Sequence, residues 1–263
     1  MKIGITQLVV GDLTVDQLLE LCRAAGYEAV ELVFRPGKEL HPEMSAAELA
    51  ALRQKVEGAG VAISSVIAGL GVGNLLSRDP AQRDLRVKGL ERAIVIGGAL
   101  GASATLLHPG QLPADGTYEA AWMDCRDALR RLAPLAAKHH CVIAVENVWN
   151  RFLLSPREMR QFVDEIGSEW VAAYLDTANM MAYGYPEQWV RELGRRVCRV
   201  HLKDFRRREH RFVPLTEGDT DWPLLMNELR AVGYTQPLIH EVDGPRELLL
   251  EMAARMRKIV GRG

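Results

Sequence analysis

Hydrophobic residues recur along this chain at two different spacings. Short runs rich in Val, Ile and Leu predict β-strands, and longer segments with apolar residues every three or four positions predict amphipathic helices. The predicted strands cover residues 3–9, 28–34, 61–67, 103–108, 141–146, 171–176, 197–203 and 237–242. The predicted helices cover residues 14–26, 45–60, 80–100, 117–139, 156–165, 186–195, 221–232 and 245–260. Strand and helix therefore alternate eight times.

Capping residues mark the ends of the first two predicted helices. Thr14 is placed to cap the segment TVDQLLELCRAAG, and Gly26 is placed to end it. Ser45 stands three residues before Glu48, which is the spacing of a capping box. These local signals support the assignment of both segments as helices.

The eightfold alternation runs through the chain without a break in composition or a linker. It predicts an α/β protein with a single (β/α)8 TIM barrel domain over residues 1–263. The alternative is an open doubly wound sheet, whose dinucleotide fingerprint is G-x-G-x-x-G. The segment GLGVGN, residues 69–74, has Asn74 in place of the last glycine and continues into LLSRDP. We predict that it is a flexible loop over the barrel mouth.

Composition and net charge argue against some classes of binding partner. The chain has 263 residues, of which 48% are hydrophobic and 25% charged, which suits a large buried core. Its formal net charge of −1 provides no overall field that would attract nucleic acid or an anionic membrane. We therefore expect a small-molecule partner.

Neither a secretion signal nor a membrane span is predicted. The apolar run before Asp12 is too short for a signal peptide, and Gly, Ser and Asn interrupt the charge-free stretch at residues 58–76. No C-x-x-C pair is present, so we expect reduced and buried thiols at Cys22, Cys125, Cys141 and Cys198. These features predict a cytoplasmic protein.

Four consecutive predicted strands each carry a possible metal ligand at or near their end. These are Glu146, Asp176, His201 and Glu241. Any one of them alone would be read as a helix cap, a solvated loop residue or a structural histidine. In a TIM barrel, however, these strand ends converge on one face, where three carboxylates would repel one another without a cation between them. Such an oxygen-rich set favours Mn²⁺, Mg²⁺ or Co²⁺ over a structural zinc.

Three further residues lie near the same strand ends. His108 ends the fourth strand, where it is either a substrate contact or the first residue of a loop. Glu31, in the second strand, could reach the mouth, or could form a salt bridge within the barrel core. His240 is adjacent to Glu241, so strand alternation predicts that it points away from the metal.

A basic segment, KDFRRREHR at residues 203–211, follows the seventh strand directly. Most of it is predicted to be a solvated loop. One or two of its cations, with Lys203 and Arg211 as candidates, could bind an anionic substrate group such as a phosphate.

Several motifs together resemble one known superfamily. They are VENVWNRFLLSP (145–156), LDTANM (175–180), HLKDF (201–205), GDTDWPLLMNELRAVGY (218–234) and HEVDG (240–244). The sequence resembles the xylose isomerase-like barrels over nearly its whole length. It is most similar to the sugar phosphate isomerase/epimerase branch, which includes the tagatose 3-epimerases and L-xylulose 5-phosphate 3-epimerases.

The resemblance implies a role for particular positions. It implies that the four residues at the strand ends hold the metal, and that Glu146 and Glu241 also form the acid/base pair. Asn179 stands where the free-sugar 3-epimerases have a histidine, as in the phosphosugar epimerases. The segment RFVP (211–214) resembles the one that supplies an arginine to the substrate, here Arg211. Phe152 departs from the pattern, because the 3-epimerases place a glutamate six residues after the first.

The function implied is a divalent-metal-dependent sugar or sugar-phosphate isomerase or epimerase that acts on a ketose through an enediolate. The main alternative is a metal-dependent dehydratase similar to inosose or dehydroshikimate dehydratase, which starts from the same enolate. An endonuclease IV-like enzyme would need more histidines at the rim than this chain supplies. A sugar-binding protein without activity would not need two opposed glutamates. The resemblance also implies a homo-oligomer.

Overall fold

Eight parallel strands close into a barrel, which confirms the (β/α)8 fold class. The structure is a computed structural model that describes residues 1–69 and 72–261. The strands of the chain are β1 (Ile3–Thr6), β2 (Ala29–Phe34), β3 (Ala62–Ala68), β4 (Ala104–Leu107), β5 (Val142–Glu146), β6 (Val171–Asp176), β7 (Val197–Leu202), β8 (Asp204–Arg206), β9 (Arg211–Val213) and β10 (Leu238–His240). The barrel order is β1-β10-β7-β6-β5-β4-β3-β2, and β8 and β9 form a separate two-stranded sheet.

Helices follow the barrel strands at the positions that the periodicity predicts. They are α1 (Val15–Ala25), α2 (Ala46–Gly58), α3 (Pro80–Leu100), α4 (Tyr118–His139), α5 (Pro156–Ile166), α6 (Pro186–Leu193), α7 (Trp222–Ala231) and α8 (Arg246–Val260). The predicted caps are present, since Thr14 accepts from the backbone of the first turn of α1 and Ser45 forms a capping box with Glu48. Gly26 ends α1 at φ 74°, a conformation that costs glycine little.

Apart from small shifts at the ends of elements, the structure differs from the prediction in three places. β1 stops at Thr6, because the chain turns into a 3₁₀ helix at Gln7–Val9. β10 stops at His240, so Glu241 lies just beyond the strand rather than within it. The basic segment 203–211 is not simply a solvated loop. It contains β8 and the first residue of β9, whose antiparallel pairing buries Phe205 and Val213.

The core has two parts that follow from strand alternation. Side chains on one face of the strands pack under the helices. A smaller cluster on the other face fills the barrel, and consists of Val33, Ile67, Ala104, Leu106, Ala144 and Tyr174. All four cysteines are free thiols, and Cys22, Cys125 and Cys141 are buried as predicted. Cys198 is only partly buried, because it lies near the start of β7 at the end of the barrel opposite the mouth.

The predicted glycine loop at residues 69–74 is only partly described, since Leu70 and Gly71 lie outside the described residues. At the end of this loop, the side chain of Asn74 donates to the carbonyl of Gln111 at 2.7 Å and accepts from the amide of Leu76 at 2.8 Å. Within the described ranges, no helix combines the length and apolar character that crossing a bilayer requires.

Candidate functional site

The structure brings the four residues at the strand ends together. Each of Glu146, Asp176, His201 and Glu241 offers one ligand atom, and these atoms lie within 4.8 Å of one another. Two features of the fold produce this grouping. The barrel order places β10, β7, β6 and β5 side by side. Glu146, Asp176 and His201 lie at or next to the carboxyl ends of their strands, and Glu241 directly follows β10. Glu241 is held there by its backbone amide, which donates to the carbonyl of Leu202 at 3.1 Å.

Backbone contacts fix the Asp176 carboxylate. Its Oδ1 accepts from the amides of Ala178 at 2.8 Å and Asn179 at 2.7 Å. The side chain of Asn147 clamps the same residue, accepting from its amide at 2.9 Å and donating to its carbonyl at 3.1 Å. Asp176 Oδ2 is buried and accepts no hydrogen bond from any residue that the structure describes, while Lys203 Nζ lies 3.5 Å away. This oxygen is therefore available to a ligand.

The imidazole of His201 lies between carboxylates on both sides. Its Nε2 is 2.9 Å from Glu31 Oε1, and its Nδ1 is 3.2 Å from Glu146 Oε1 and 3.4 Å from Glu241 Oε2. When Nε2 carries the proton that Glu31 accepts, Nδ1 presents its lone pair to the four-residue group. Burial disfavours a charged imidazole, but Glu31 and Glu241 raise the pKa of His201 well above its usual range.

The two glutamates of the group have different electrostatic surroundings. Burial opposes ionisation of Glu146, but the imidazoles of His108 and His201 bring its pKa below the ordinary value. Burial raises the pKa of Glu241 to about 7. The positive charges of His201 and Lys203 act in the opposite direction and lower this pKa, whereas the nearby carboxylates raise it further. One carboxylate thus favours the ionised form more strongly than the other does.

The group fits a divalent cation by its chemistry. Three carboxylates and one imidazole converge in a buried place, where the like charges raise one another's energy unless a cation lies between them. The bare Oδ2 of Asp176 and the inward-facing Nδ1 of His201 are donors of the kind that Mn²⁺, Mg²⁺ and Co²⁺ accept. These four side chains could therefore hold a divalent metal.

The other residues predicted from the sequence lie at different distances from the group. His108 Nε2 contacts Glu146 Oε2, so this side chain reaches the site. Lys203 Nζ is 2.8 Å from Glu241 Oε2. Asn179 contributes its amide to Asp176, while its side chain donates to the carbonyl of Asn147 at 2.9 Å. Arg211 lies apart on β9, where its Nε is 2.5 Å from Glu209 Oε2.

The directions of two further side chains, one of them predicted from the sequence, are seen in the structure. His240 points away from the group, as alternation predicts, and its Nδ1 is 3.0 Å from the hydroxyl of Tyr27. Phe152, where the 3-epimerases have a glutamate, is buried in the core between α4 and α5 against Trp122 and Phe162. The side chain at this position therefore does not line the mouth.

Two residues have roles that the sequence did not assign. Asn147 directly follows Glu146 inside the quoted motif VENVWN, and it holds Asp176 across the strand pair. Glu31 bonds to His201 from β2, although the sequence left its role open. The role of Asn147 could have been suspected because it directly follows a candidate ligand in the sequence. No sequence feature near Glu31 predicts its contact with His201.

A cleft of about 550 Å³ opens beside the group, with Lys203 and Glu241 among its lining residues. The remaining walls come from the 3₁₀ helix after β1, from β9 and the residue after it, and from the segment between β10 and the start of α8. They are Leu8, Val9, Phe212, Val213, Pro214, Val242, Asp243 and Leu248. Lys203 Nζ also lies 4.7 Å from the ring centre of Phe212. The cleft is large enough for a sugar-sized molecule next to the candidate metal ligands.

A family model and one relative each match most of this chain. The family model described as "Xylose isomerase-like TIM barrel" matches residues 19–259. An Escherichia coli (strain K12) protein named "Putative L-ribulose-5-phosphate 3-epimerase SgbU" is 24% identical over 95% of this chain and 92% of its own length.

Solved structures share the fold at low sequence identity. A D-tagatose 3-epimerase-like protein superimposes with a TM-score of 0.84 at 20% identity, over 99% of this chain and 97% of its own. The IOLI protein, solved with a zinc atom, superimposes with a TM-score of 0.83 at 16% identity, over 100% of this chain and 99% of its own.

Proposed function

Because the chain belongs to the xylose isomerase-like TIM barrel family, we propose that it is a divalent-metal-dependent epimerase of a ketose or ketose phosphate. The observation that carries the proposal is the convergence of Glu146, Asp176, His201 and Glu241 within 4.8 Å beside a sugar-sized cleft. The relative named for L-ribulose-5-phosphate epimerisation supports carbon 3 as the reacting centre. Aldose–ketose isomerisation uses the same groups and is the nearest variant of this activity.

The metal would be Mn²⁺, Mg²⁺ or Co²⁺, held by the four residues together. When bound, it supplies a Lewis acid that stabilises the negative charge developing on the carbonyl oxygen of the ketose. The chain supplies the remaining parts of the reaction, which are proton transfer, orientation of the sugar and exclusion of water.

Glu146 and Glu241 are the proposed acid/base pair. They come from β5 and from the end of β10, which are separated in the barrel by β6 and β7, so they approach a bound sugar from different directions. One carboxylate removes the proton next to the ketone, giving an enediolate, and the other returns a proton to the opposite face of the same carbon. Removal of a proton from carbon 1 instead, followed by its return to carbon 2, would give an aldose. A positioned base of this kind contributes about 10²–10⁴-fold to the rate.

Other residues at the mouth would bind and orient the sugar. His108 contacts Glu146 Oε2, and its partly exposed ring would bind a sugar hydroxyl next to that carboxylate. Lys203, next to Glu241, is placed to donate a hydrogen bond to a substrate oxygen. Asn179 maintains the loop that follows Asp176. We assign Arg211 to an anionic group at the far end of the substrate, because its side chain is exposed on β9, the strand that supplies Phe212 and Val213 to the cleft.

Deuterium exchange tests the proposal directly. The purified protein, supplied with Mn²⁺ or Co²⁺ in D₂O, should exchange the proton at carbon 3 of at least one ketose or ketose phosphate, with an epimer appearing in the NMR spectrum. Glu146→Gln and Glu241→Gln should each slow this exchange by about 10²–10⁴-fold, since each removes one general base. Glu247→Gln, which changes an exposed carboxylate on α8, serves as the matched control.

Three outcomes would contradict the proposal. Metal-dependent loss of water without exchange into a recovered sugar would identify a dehydratase. Sugar binding that is equal in the wild type and Glu241→Gln, with no exchange in either, would identify a binding protein. Exchange at the wild-type rate in both glutamine variants would place the acid/base pair elsewhere.

A further inference from the structure

Glu31 is a buried carboxylate that reaches the candidate metal centre from the opposite side of the barrel. Its side chain is 0% exposed. Oε1 lies 2.9 Å from His201 Nε2, while Oε2 accepts from Ser65 Oγ at 2.7 Å and from the hydroxyl of Tyr174 at 2.9 Å. Four strands, β2, β3, β6 and β7, therefore meet at this one side chain.

Burying the carboxylate of Glu31 costs free energy unless other groups in the barrel bind to it. An ionised carboxylate taken out of water loses several kcal/mol of hydration, which only charged or hydrogen-bonding partners restore. Among the described residues no lysine or arginine forms an ion pair with Glu31, and its ion-pair partner is the imidazole of His201. The burial cost is thus offset by contacts with His201, Ser65, Tyr174 and Thr6.

The two oxygens of Glu31 face different partners. Ser65 and Tyr174 both donate to Oε2, which fixes the plane of the carboxylate. Oε1 then faces Nε2 of His201. The Nε2 side of the ring faces Glu31, whereas the Nδ1 side faces Glu146 and Glu241, two of the four candidate ligands. A cation held by that group therefore meets the ring at Nδ1, and the ring proton is then on Nε2, where Glu31 accepts it.

We propose that Glu31 is a positioning residue for the metal centre. It holds His201 in the Nε2–H tautomer and in the ring orientation that presents Nδ1 to the cation, and its negative charge strengthens the imidazole as a donor. Ser65 and Tyr174 act through Glu31 by keeping its carboxylate in place. This inference rests on the proposed function, since it requires that His201 binds a metal.

Metal affinity measured without substrate tests the inference. Mn²⁺ is titrated calorimetrically into protein stripped with EDTA, for the wild type and for Glu31→Gln, which keeps the shape of the side chain and removes its charge. The variant should bind Mn²⁺ about 10–100-fold more weakly. The Co²⁺-loaded variant should also show a changed visible absorption spectrum. A purely structural role would lower stability with and without metal, but would leave both readouts unchanged.

A graded series keeps the test decisive. Tyr174→Phe retains the charge of Glu31 and removes one of its two fixing donors, so it should weaken Mn²⁺ binding less than Glu31→Gln does. If Glu31→Gln does not fold, Tyr174→Phe and Ser65→Ala combined should still bind Mn²⁺ more weakly than the wild type. Glu247→Gln, on the surface, should bind as the wild type does.

Metal binding distinguishes a failure of the proposed function from a failure of the role of Glu31. If the wild-type protein binds no Mn²⁺ or Co²⁺, the proposed metal-dependent function itself is wrong. If the wild type binds metal and Glu31→Gln binds it with the same affinity and the same Co²⁺ spectrum, only the role of Glu31 is overturned.

Discussion

The two cations assigned to the substrate, Lys203 and Arg211, have different surroundings. Lys203 Nζ lies 2.8 Å from Glu241 Oε2 and 3.5 Å from Asp176 Oδ2, so its charge is already engaged. The side chain of Arg211 is 57% exposed and pairs with Glu209 on the surface. Surface pairs of this kind contribute about 0–1 kcal/mol, so Arg211 can exchange its partner for a substrate anion.

Replacing Arg211 should therefore affect phosphorylated substrates selectively. Arg211→Ala should lower kcat/KM for a ketose phosphate by about 10–100-fold, because a hydrogen bond to a charged group contributes about 1.5–3 kcal/mol. The same ketose without phosphate should lose little. Steady-state kinetics with both sugars measures the effect, with Arg208→Ala as the control for an exposed arginine in the same segment. An equal loss with both sugars would show that Arg211 does not bind a phosphate.

At the scale of elements, the β8–β9 hairpin is the main addition to a plain barrel. One buried carboxylate, Asp204, organises the hairpin and the chain that follows it. It accepts five hydrogen bonds, from the amides of Phe205, Thr216, Gly218 and Thr220 and from the hydroxyl of Thr220. This arrangement positions the hairpin that supplies Phe212 and Val213 to the cleft.

Asp204→Asn should destabilise this region markedly. An amide offers one accepting oxygen instead of two, so backbone donors lose their partner at a cost of about 1–3 kcal/mol each. We expect the free energy of unfolding to fall by about 2 kcal/mol or more, measured by denaturant titration. Asp219→Asn is the matched control, because Asp219 accepts a single backbone hydrogen bond, from Arg207 at 2.7 Å, in an exposed place. Equal losses in the two variants would mean that Asp204 does not organise the hairpin.

At the scale of the whole molecule, closure of the barrel buries His240, a histidine that does not belong to the candidate metal site. His240 lies on β10, which completes the barrel by pairing with β1 and β7, and its side chain is packed under the helices. Burial lowers the pKa of His240 to about 3, from an ordinary value of 6.5. Protonation of this side chain is therefore linked to unfolding of the barrel.

The linkage predicts that this residue weakens the protein in acid. Between pH 6.5 and about 3 the unfolded chain binds a proton at His240 that the folded chain does not, so stability falls as the pH falls. Each pH unit in this window costs up to about 1.4 kcal/mol. From pH 6.5 to 5, metal-free wild type should lose about 2 kcal/mol more than His240→Leu, by denaturant titration at each pH. Parallel losses in the two proteins would contradict this.

Much of the fold and the centre of the site could be predicted from the sequence. Helix boundaries agree to within a few residues because caps such as Thr14 and Ser45 and the apolar spacing are local properties of the chain. The convergence of Glu146, Asp176, His201 and Glu241 could be predicted once the fold was identified as a barrel. Parallel strands of a barrel end on a common face, whatever their exact register.

The tertiary structure decided the contacts that depend on register and on packing between distant segments. Glu31 meets His201 across 170 residues of sequence, and the pairing of their strands around the barrel, rather than any motif, brings them together. Phe152 turns into the core and the basic segment folds into β8 and β9, because each buries apolar surface against residues that are distant in sequence or in another element. Hydrophobic periodicity specifies which face of a segment is buried. Which side chains then meet inside the barrel is fixed only when all eight strands have closed.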